Sequence, residues 1–207
     1  MENRLFEYLD YLYENPRCEL NYNKDYELLI AIVLSAQTTD KMVNRVTDVL
    51  FKKYNSLLEL SKANLSDIED IIRIIGTFKK KSIYIKGIAM KLVGDGYLYV
   101  PNDREYIESL PGVGRKSANV FLSNIYNEPA IAVDTHVSRV SKRLGLCDKD
   151  DNVKDIERKL QEIVPKDRWG RTHHQMVLFG RYKCKAIRPI CEDCQLRKFC
   201  MYKQDKM

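Results

Sequence analysis

The stretch Leu110–Val120, LPGVGRKSANV, sets a proline, two glycines and then an Arg-Lys pair between two segments of apolar pattern. The residue before a proline avoids the helical region, so a helix arriving from upstream stops here. On that side Asn102 can cap a short helix with Glu105 three positions on, and Tyr106, Ile107 and Leu110 line its inner face. On the other side Ala118, Phe121, Leu122 and Ile125 recur as a buried stripe, while Lys116, Asn119 and Ser123 lie on another face. The unit is helix, tight hairpin, helix, with Gly112 and Gly114 at the hinge. Glycine there permits positive φ and the close approach of another backbone. The N–H groups that open the second helix point outward and favour an anion, a phosphate above all. An αα-hairpin whose glycines only make the turn is the other reading of the same letters.

Outward from the hairpin the period stays helical, and an all-α fold is expected. Leu5, Tyr8, Leu9 and Leu12 form the stripe of an amphipathic helix. DYELLIAIVLSAQ, from Asp25, is apolar nearly all round, the mark of a buried helix. The next segment carries a stripe at Met42, Val46, Val49 and Leu50, and Ser66 with Glu69 makes a capping box for the one after. Lys79 to Val93 again has helical spacing, and YLYV at 97–100 is too short for a convincing strand. The 207 residues suffice for one large or two small domains with a real core. With 44% hydrophobic and 31% charged residues the composition is globular, and the net charge of +6 suits a polyanionic partner without proving one. The longest apolar run, Leu28 to Leu34, is too short to cross a bilayer, and no signal peptide is visible. A soluble intracellular monomer is expected.

Four of the six cysteines, Cys184, Cys191, Cys194 and Cys200, crowd into one stretch with the spacing C-x6-C-x2-C-x5-C. In an intracellular chain this density points to metal rather than disulfides. Zinc ribbons present two tight C-x2-C knuckles, and here only one pair is tight. The wider reach of the outer two suits a [4Fe–4S] cube better, although spacing alone also admits zinc. Around them lie Arg181, Lys183, Lys185, Arg188, Arg197 and Lys198 against Glu192 and Asp193. That basic loop is either a grip for a phosphate backbone or an ordinary solvated surface.

The hairpin, the stretch AVDTHVSRV from Ala132 and the cysteine tail, with LSAQTTD at 34–40 and HHQMVLFGRYKC at 173–184, together resemble the endonuclease III family of DNA glycosylases over nearly the whole chain. The resemblance implies two helical domains flanking a DNA-binding cleft: a six-helix barrel with the helix-hairpin-helix at 18–128, and a domain of 1–17 plus 129–207 carrying the iron–sulfur loop. It implies a [4Fe–4S] cluster on Cys184, Cys191, Cys194 and Cys200. The partner is duplex DNA holding oxidised pyrimidines or abasic sites, with no membrane, and in a prokaryote the location is cytoplasmic and nucleoid-associated. Gly112, Val113, Gly114 and Arg115 would take a DNA phosphate, and Lys185 and Arg188 would add backbone contacts.

The resemblance also assigns chemistry. Lys116 stands where the family's lysine attacks C1′, expels the base and forms a Schiff base, after which β-elimination cuts the strand. Only a neutral amine is nucleophilic, and a lysine with its ordinary pKa of about 10.4 is almost wholly protonated at neutral pH; the helix N-terminus, Arg115 and desolvation would lower that value. Asp134 matches the family's essential aspartate, able to stabilise charge on the sugar or assist proton transfer, and by position it is also a helix N-cap. Gln37 would fill the hole left by the extruded base, and Glu108 matches a pocket residue. The family's second filler, a leucine after a glycine, is here Thr77 after Gly76, with Phe78 as a substitute. His136, His173 and His174 are expected to pack and hydrogen-bond, and Trp169 to sit in the core. Two relatives within the superfamily fit less well: an adenine-mismatch branch keeps an early glutamate where this chain has Ile32, and a thymine-mismatch branch replaces the lysine with tyrosine. A non-catalytic, metal-stabilised DNA-binding module would need neither Lys116 nor Asp134.

Overall fold

The computed structural model describes residues 2–204 and is helical, with no strand among them. The chain divides into two compact units, Cys18–Tyr126 and Met1–Arg17 with Asn127–Met207. The sequence reading set the second break after residue 128. Asn127, just past the observed break, turns the backbone through the left-handed region (φ 54°).

The Cys18–Tyr126 unit is built round α2 (Asp25–Leu34), in which every residue from Tyr26 to Leu34 is buried. A helix with no polar face gains about 1.5–3 kcal/mol for each fully buried Leu, Ile or Val, but it must satisfy its end groups without much water. At its start Glu27 accepts from the amides of Asn23 (2.7 Å) and Lys24 (3.2 Å), and Asp25 accepts from Val100 N–H (2.6 Å). Around it pack α3 (Asp40–Lys53), α4 (Leu57–Lys62), α5 (Leu65–Ile72), α6 (Phe78–Gly94), α7 (Arg104–Glu108) and α8 (Arg115–Ile125). Three local expectations shift. The inner face of α3 is Val43, Val46, Thr47 and Leu50, so Val49 is exposed, because Thr47 bonds its hydroxyl to Val43 O and can turn inward. The cap of α5 is Asn64 rather than Ser66. Asp103, not Asn102, caps α7, its carboxylate accepting from Tyr106 N–H at 3.1 Å.

The other unit joins α1 (Glu2–Leu12) to α9 (Thr135–Leu144), α10 (Val153–Ile163), α11 (Trp169–Leu178) and the short α12 (Met201–Gln204). Leu5, Tyr8 and Leu9 of α1 share a core with Val137, Val140, Leu160, Met176 and Phe179, and the Tyr8 and Phe179 rings meet edge to face at 6.2 Å. Trp169 is half-buried against this core and donates its indole N–H to Val164 O at 2.8 Å. No helix among the described residues is long and apolar enough to cross a membrane.

Asp10 fastens α1 to residues more than 150 positions away: it accepts from Arg168 (2.8 Å), Arg171 (3.0 Å) and Gln175 (2.8 Å). Burial pushes its carboxyl pKa up, but these hydrogen bonds outweigh it and hold the value at about 2 against an ordinary 3.8. A folded value below the unfolded one stabilises fully above the unfolded pKa, and the contribution fades as pH falls from 3.8 towards 2. Asp10→Asn should therefore melt below the parent at neutral pH, and the two melting curves should converge on acidification through that window; thermal unfolding followed by circular dichroism checks both.

Candidate active-site residues

The hairpin is held from beneath. Ile107, Leu110, Val113, Ala118, Phe121 and Leu122 are buried, while Gly112, Gly114, Arg115 and Lys116 are exposed. Val113 thus anchors a turn whose two glycines face water, and its N–H closes on Leu110 O at 3.1 Å. Gly112 has φ +75°, and a Cβ there would lie 2.4 Å from Cδ2 of Tyr84. Glycine is required twice over, by backbone sign and by the Tyr84 ring of α6. Gly114 has an ordinary extended backbone (φ −113°), and its contribution is different: it caps α8 with no side-chain hydrogen bond. In α3, α4, α7, α9 and α10 a Thr, Ser, Asp or Asn side chain occupies that position and bonds the first turn. No cap side chain stands in front of α8. Lys116 is the second residue of that turn.

The α7–α8 pair is tied by Arg104, which donates to Asn119 Oδ1 at 2.7 Å and pairs with the half-buried Glu108 at 3.4 Å. Asn119 was expected on the polar face with Lys116; it is only 4% exposed, and its burial is compensated by that guanidinium.

Two residues of the same unit other than glycine adopt left-handed backbone on exposed turns, Gln37 (φ 56°) after α2 and Thr77 (φ 56°) at the start of α6. A side chain in that region costs on the order of 1–3 kcal/mol and persists only where its surroundings impose it. Phe78, beside Thr77, is half-buried and packs against the core, so Thr77 is the exposed member of the pair. The sequence reading missed Lys81, which is 4% exposed and whose ammonium donates to Leu34 O (2.9 Å), Ala36 O (2.7 Å) and Thr38 Oγ1 (3.1 Å). Burial lowers its pKa. A signal existed: Lys81 falls on the stripe 81, 85, 88, 89, 92 that faces the core, where a lysine needs buried acceptors.

In the other unit the buried run Ile131–Val133 delivers Asp134 to the start of α9, and one carboxylate oxygen accepts from Val137 N–H at 2.8 Å. Along α9, Arg139 donates to Gly180 O (2.7 Å) and Cys184 O (3.2 Å), and Arg143 to Lys185 O (2.7 Å), Ala186 O (3.1 Å) and Cys184 Sγ (3.4 Å). The Arg143 guanidinium also lies 4.1 Å above the Tyr202 ring. The helix that carries Asp134 is thereby fixed to the start of the cysteine loop, where a single π-helical turn, Phe179–Lys183, follows α11. Gly180 in that turn abuts His136, and a Cβ would stand 2.8 Å from His136 Cβ. His136 bonds Arg139 through Nδ1 at 3.1 Å, and burial lowers its pKa. The His173 and His174 rings lie 5.1 Å apart in α11, tilted by 59°. Sequence gave no sign of the two arginines beyond their lying one turn apart.

Cys184, Cys191, Cys194 and Cys200 line one cavity with Arg143, Leu144, Phe179 and Tyr202. All four are free thiols, and no three His, Cys, Asp or Glu side chains among the described residues stand close enough to hold a metal ion. Lys185 and Arg188 are exposed in this loop, Arg188 with left-handed backbone (φ 51°).

The all-helical fold with its glycine hairpin is that of a base-excision repair protein of the helix-hairpin-helix class: residues 30–166 match the HhH-GPD superfamily of base excision DNA repair proteins. The chain is 44% identical to the Endonuclease III of Bacillus subtilis (strain 168), covering 94% of this chain and 90% of that one, and 38% identical to the Endonuclease III of Rickettsia conorii, covering 97% and 95%. It superposes with TM-score 0.94 and 43% identity, over 100% of this chain and 99% of the other, on a trapped endonuclease III–DNA covalent intermediate described as an estranged-adenine complex. The chain belongs to the endonuclease III family and is a DNA glycosylase.

Gly112→Ala should lower the melting temperature and weaken binding to any duplex, because the methyl group forces Tyr84 away and opens the turn. Gly114→Ala, with nothing within 4 Å of the added carbon, should melt close to the parent. Calorimetry and fluorescence anisotropy with duplex DNA separate the two.

Proposed function

We propose that this enzyme is a bifunctional glycosylase and AP lyase that removes oxidised pyrimidines from duplex DNA through a Schiff base on Lys116. The observation that carries the reading is an exposed lysine on the first turn of a helix whose N-terminus has no side-chain cap, directly after a glycine turn of the phosphate-binding kind. The related protein trapped covalently on DNA supports an enzyme-bound intermediate.

The amides of Gly112 and Gly114 and the Arg115 guanidinium hold a backbone phosphate on the turn that Val113 anchors, and Lys185 and Arg188 add contacts from the cysteine loop. The damaged nucleotide leaves the stack, Gln37 occupies its place, and Glu108, held by Arg104, faces the extruded base. The unprotonated Nζ of Lys116 attacks C1′. The glycosidic bond breaks, and the base departs with its electron pair and gains a proton. Loss of the amine protons and opening of the sugar give the imine. Removal of a C2′ proton then expels the 3′ phosphate and cuts the strand. Asp134 stabilises the positive charge on the sugar as the base leaves. One of its oxygens is engaged by Val137 N–H, so its orientation is set by α9.

Cys184, Cys191, Cys194 and Cys200 would hold a [4Fe–4S] cluster. What supports this is that the four cysteines line one cavity, with the C-x6-C-x2-C-x5-C spacing whose outer two reach wider than a zinc knuckle. Such a cluster would tie the loop together through these four cysteines. Protein prepared anaerobically should contain about four irons per chain; one zinc and no iron by elemental analysis would refute the assignment.

Lys116→Gln should abolish the covalent band that borohydride leaves on duplex DNA with an abasic site, while binding to that DNA persists. Asp134→Asn keeps an N-cap and should melt near the parent, yet release of thymine glycol should slow on the order of 10²–10³-fold. Trapping of Lys116→Gln at the parental yield would move the nucleophile elsewhere.

A further inference from the structure

The turn that carries Gln37 is held by one buried ammonium group. Lys81 uses all three of its N–H donors there: Ala36 O lies just before Gln37, Thr38 Oγ1 just after it, and Leu34 O at the end of α2. The cation also sits where the dipole of α2 is negative. Other local bonds close the turn: Thr38 N–H to Ser35 O (3.1 Å), Ser35 Oγ to Ile32 O (2.8 Å) and, across Gln37, Thr38 Oγ1 to Ala36 O at a long 3.4 Å. From the other end, the Lys81 amide donates to Thr77 O at 3.1 Å. One residue therefore joins both exposed left-handed positions of this unit.

We propose that Lys81 is a positioning residue for lesion extrusion, clamping the Ala36–Thr38 backbone so that Gln37 is presented, already ordered, to the space the damaged base vacates. The proposal rests on the reading of Gln37 as the side chain that fills that space. Lys81 touches neither substrate nor the reacting atoms; it acts by removing the cost of ordering the Gln37 turn during extrusion. The left-handed backbone is then the presenting conformation rather than an incidental kink. The second position, Thr77, opens the helix that carries the lysine, its carbonyl accepting from the amides of Lys80 (3.0 Å) and Lys81 (3.1 Å).

The test compares duplex with single-stranded DNA, because a single strand has no opposing stack to refill. Lys81→Met, which keeps length and loses every donor, should slow single-turnover release of thymine glycol from duplex on the order of 10²-fold, as misplaced groups remote from the chemistry do. Borohydride trapping on a single-stranded abasic oligonucleotide should stay at the parental rate. In a Gln37→Ala background, Lys81→Met should add little further slowing, since both changes act through one turn. Lys81→Arg should restore part of the duplex rate. Equal losses on duplex and single strand would reduce Lys81 to a folding element and overturn the proposal, as would full additivity with Gln37→Ala. Should Lys81→Met not fold, Thr38→Val removes one acceptor and leaves the lysine in place; a parental rate on duplex with that variant would also overturn it. If Gln37→Ala alone releases the base at the parental rate, the filling role of Gln37 falls, whatever Lys81 does, and Lys116 trapping is untouched.

Discussion

A helix buried on every side cannot leave its end groups to water, and much of the Cys18–Tyr126 unit follows from that constraint on α2. The apolar letters from Leu28 to Leu34 drive it into the core, where the four carbonyls at its end become a problem that water cannot solve. A lysine drawn in from α6 solves part of it. The same α6 places Tyr84 under Gly112, and Gly87 leaves room for Pro111, whose Cγ would stand 3.0 Å from an added Cβ. The support of the hairpin and the satisfaction of the buried helix thus come from one element. This is why the glycine hairpin and the Gln37 turn rest on the same helix.

The other unit uses a different device for a similar end. Asp134 spends one carboxylate oxygen on capping α9, which fixes its direction, and α9 spends two arginines on the carbonyls that open the cysteine loop. Charged donors meeting several backbone acceptors make stronger, more directional bonds than neutral pairs. Orientation of the aspartate and shape of the loop are therefore linked through ten residues of helix.

The fold was legible in the sequence because helical stripes are long and repeat: Leu5, Tyr8 and Leu9, or Val137, Val140 and Leu144, could only face inward. Lys116, Asp134 and the hairpin glycines were legible as motifs, and Gly112 and the Asp134 cap also as physics. What escaped were features that depend on a distant partner. Asn119 looked polar and exposed until Arg104, fifteen positions earlier, took it inward. Lys81 was passed over, although its place on the apolar stripe marked it. Cap positions slipped by one or two residues at Asp103 and Asn64, since neighbouring Asp, Asn and Ser compete almost equally for that role. Arg139 and Arg143 find their acceptors in a loop some forty residues away, a pairing no local pattern encodes.

The web around Asp10 has a bearing on how the chain comes into being. The apolar face of α1 is made before its partners on α11, which follow more than 150 residues later. At roughly 5–20 residues per second that interval is on the order of ten seconds or more. In the meantime the whole of Cys18–Tyr126 has been made, with its core closed within itself. Order of synthesis and order of assembly therefore differ: Cys18–Tyr126 can settle early, while α1, with Leu5, Tyr8 and Leu9 uncovered, waits for the helices that follow Tyr126.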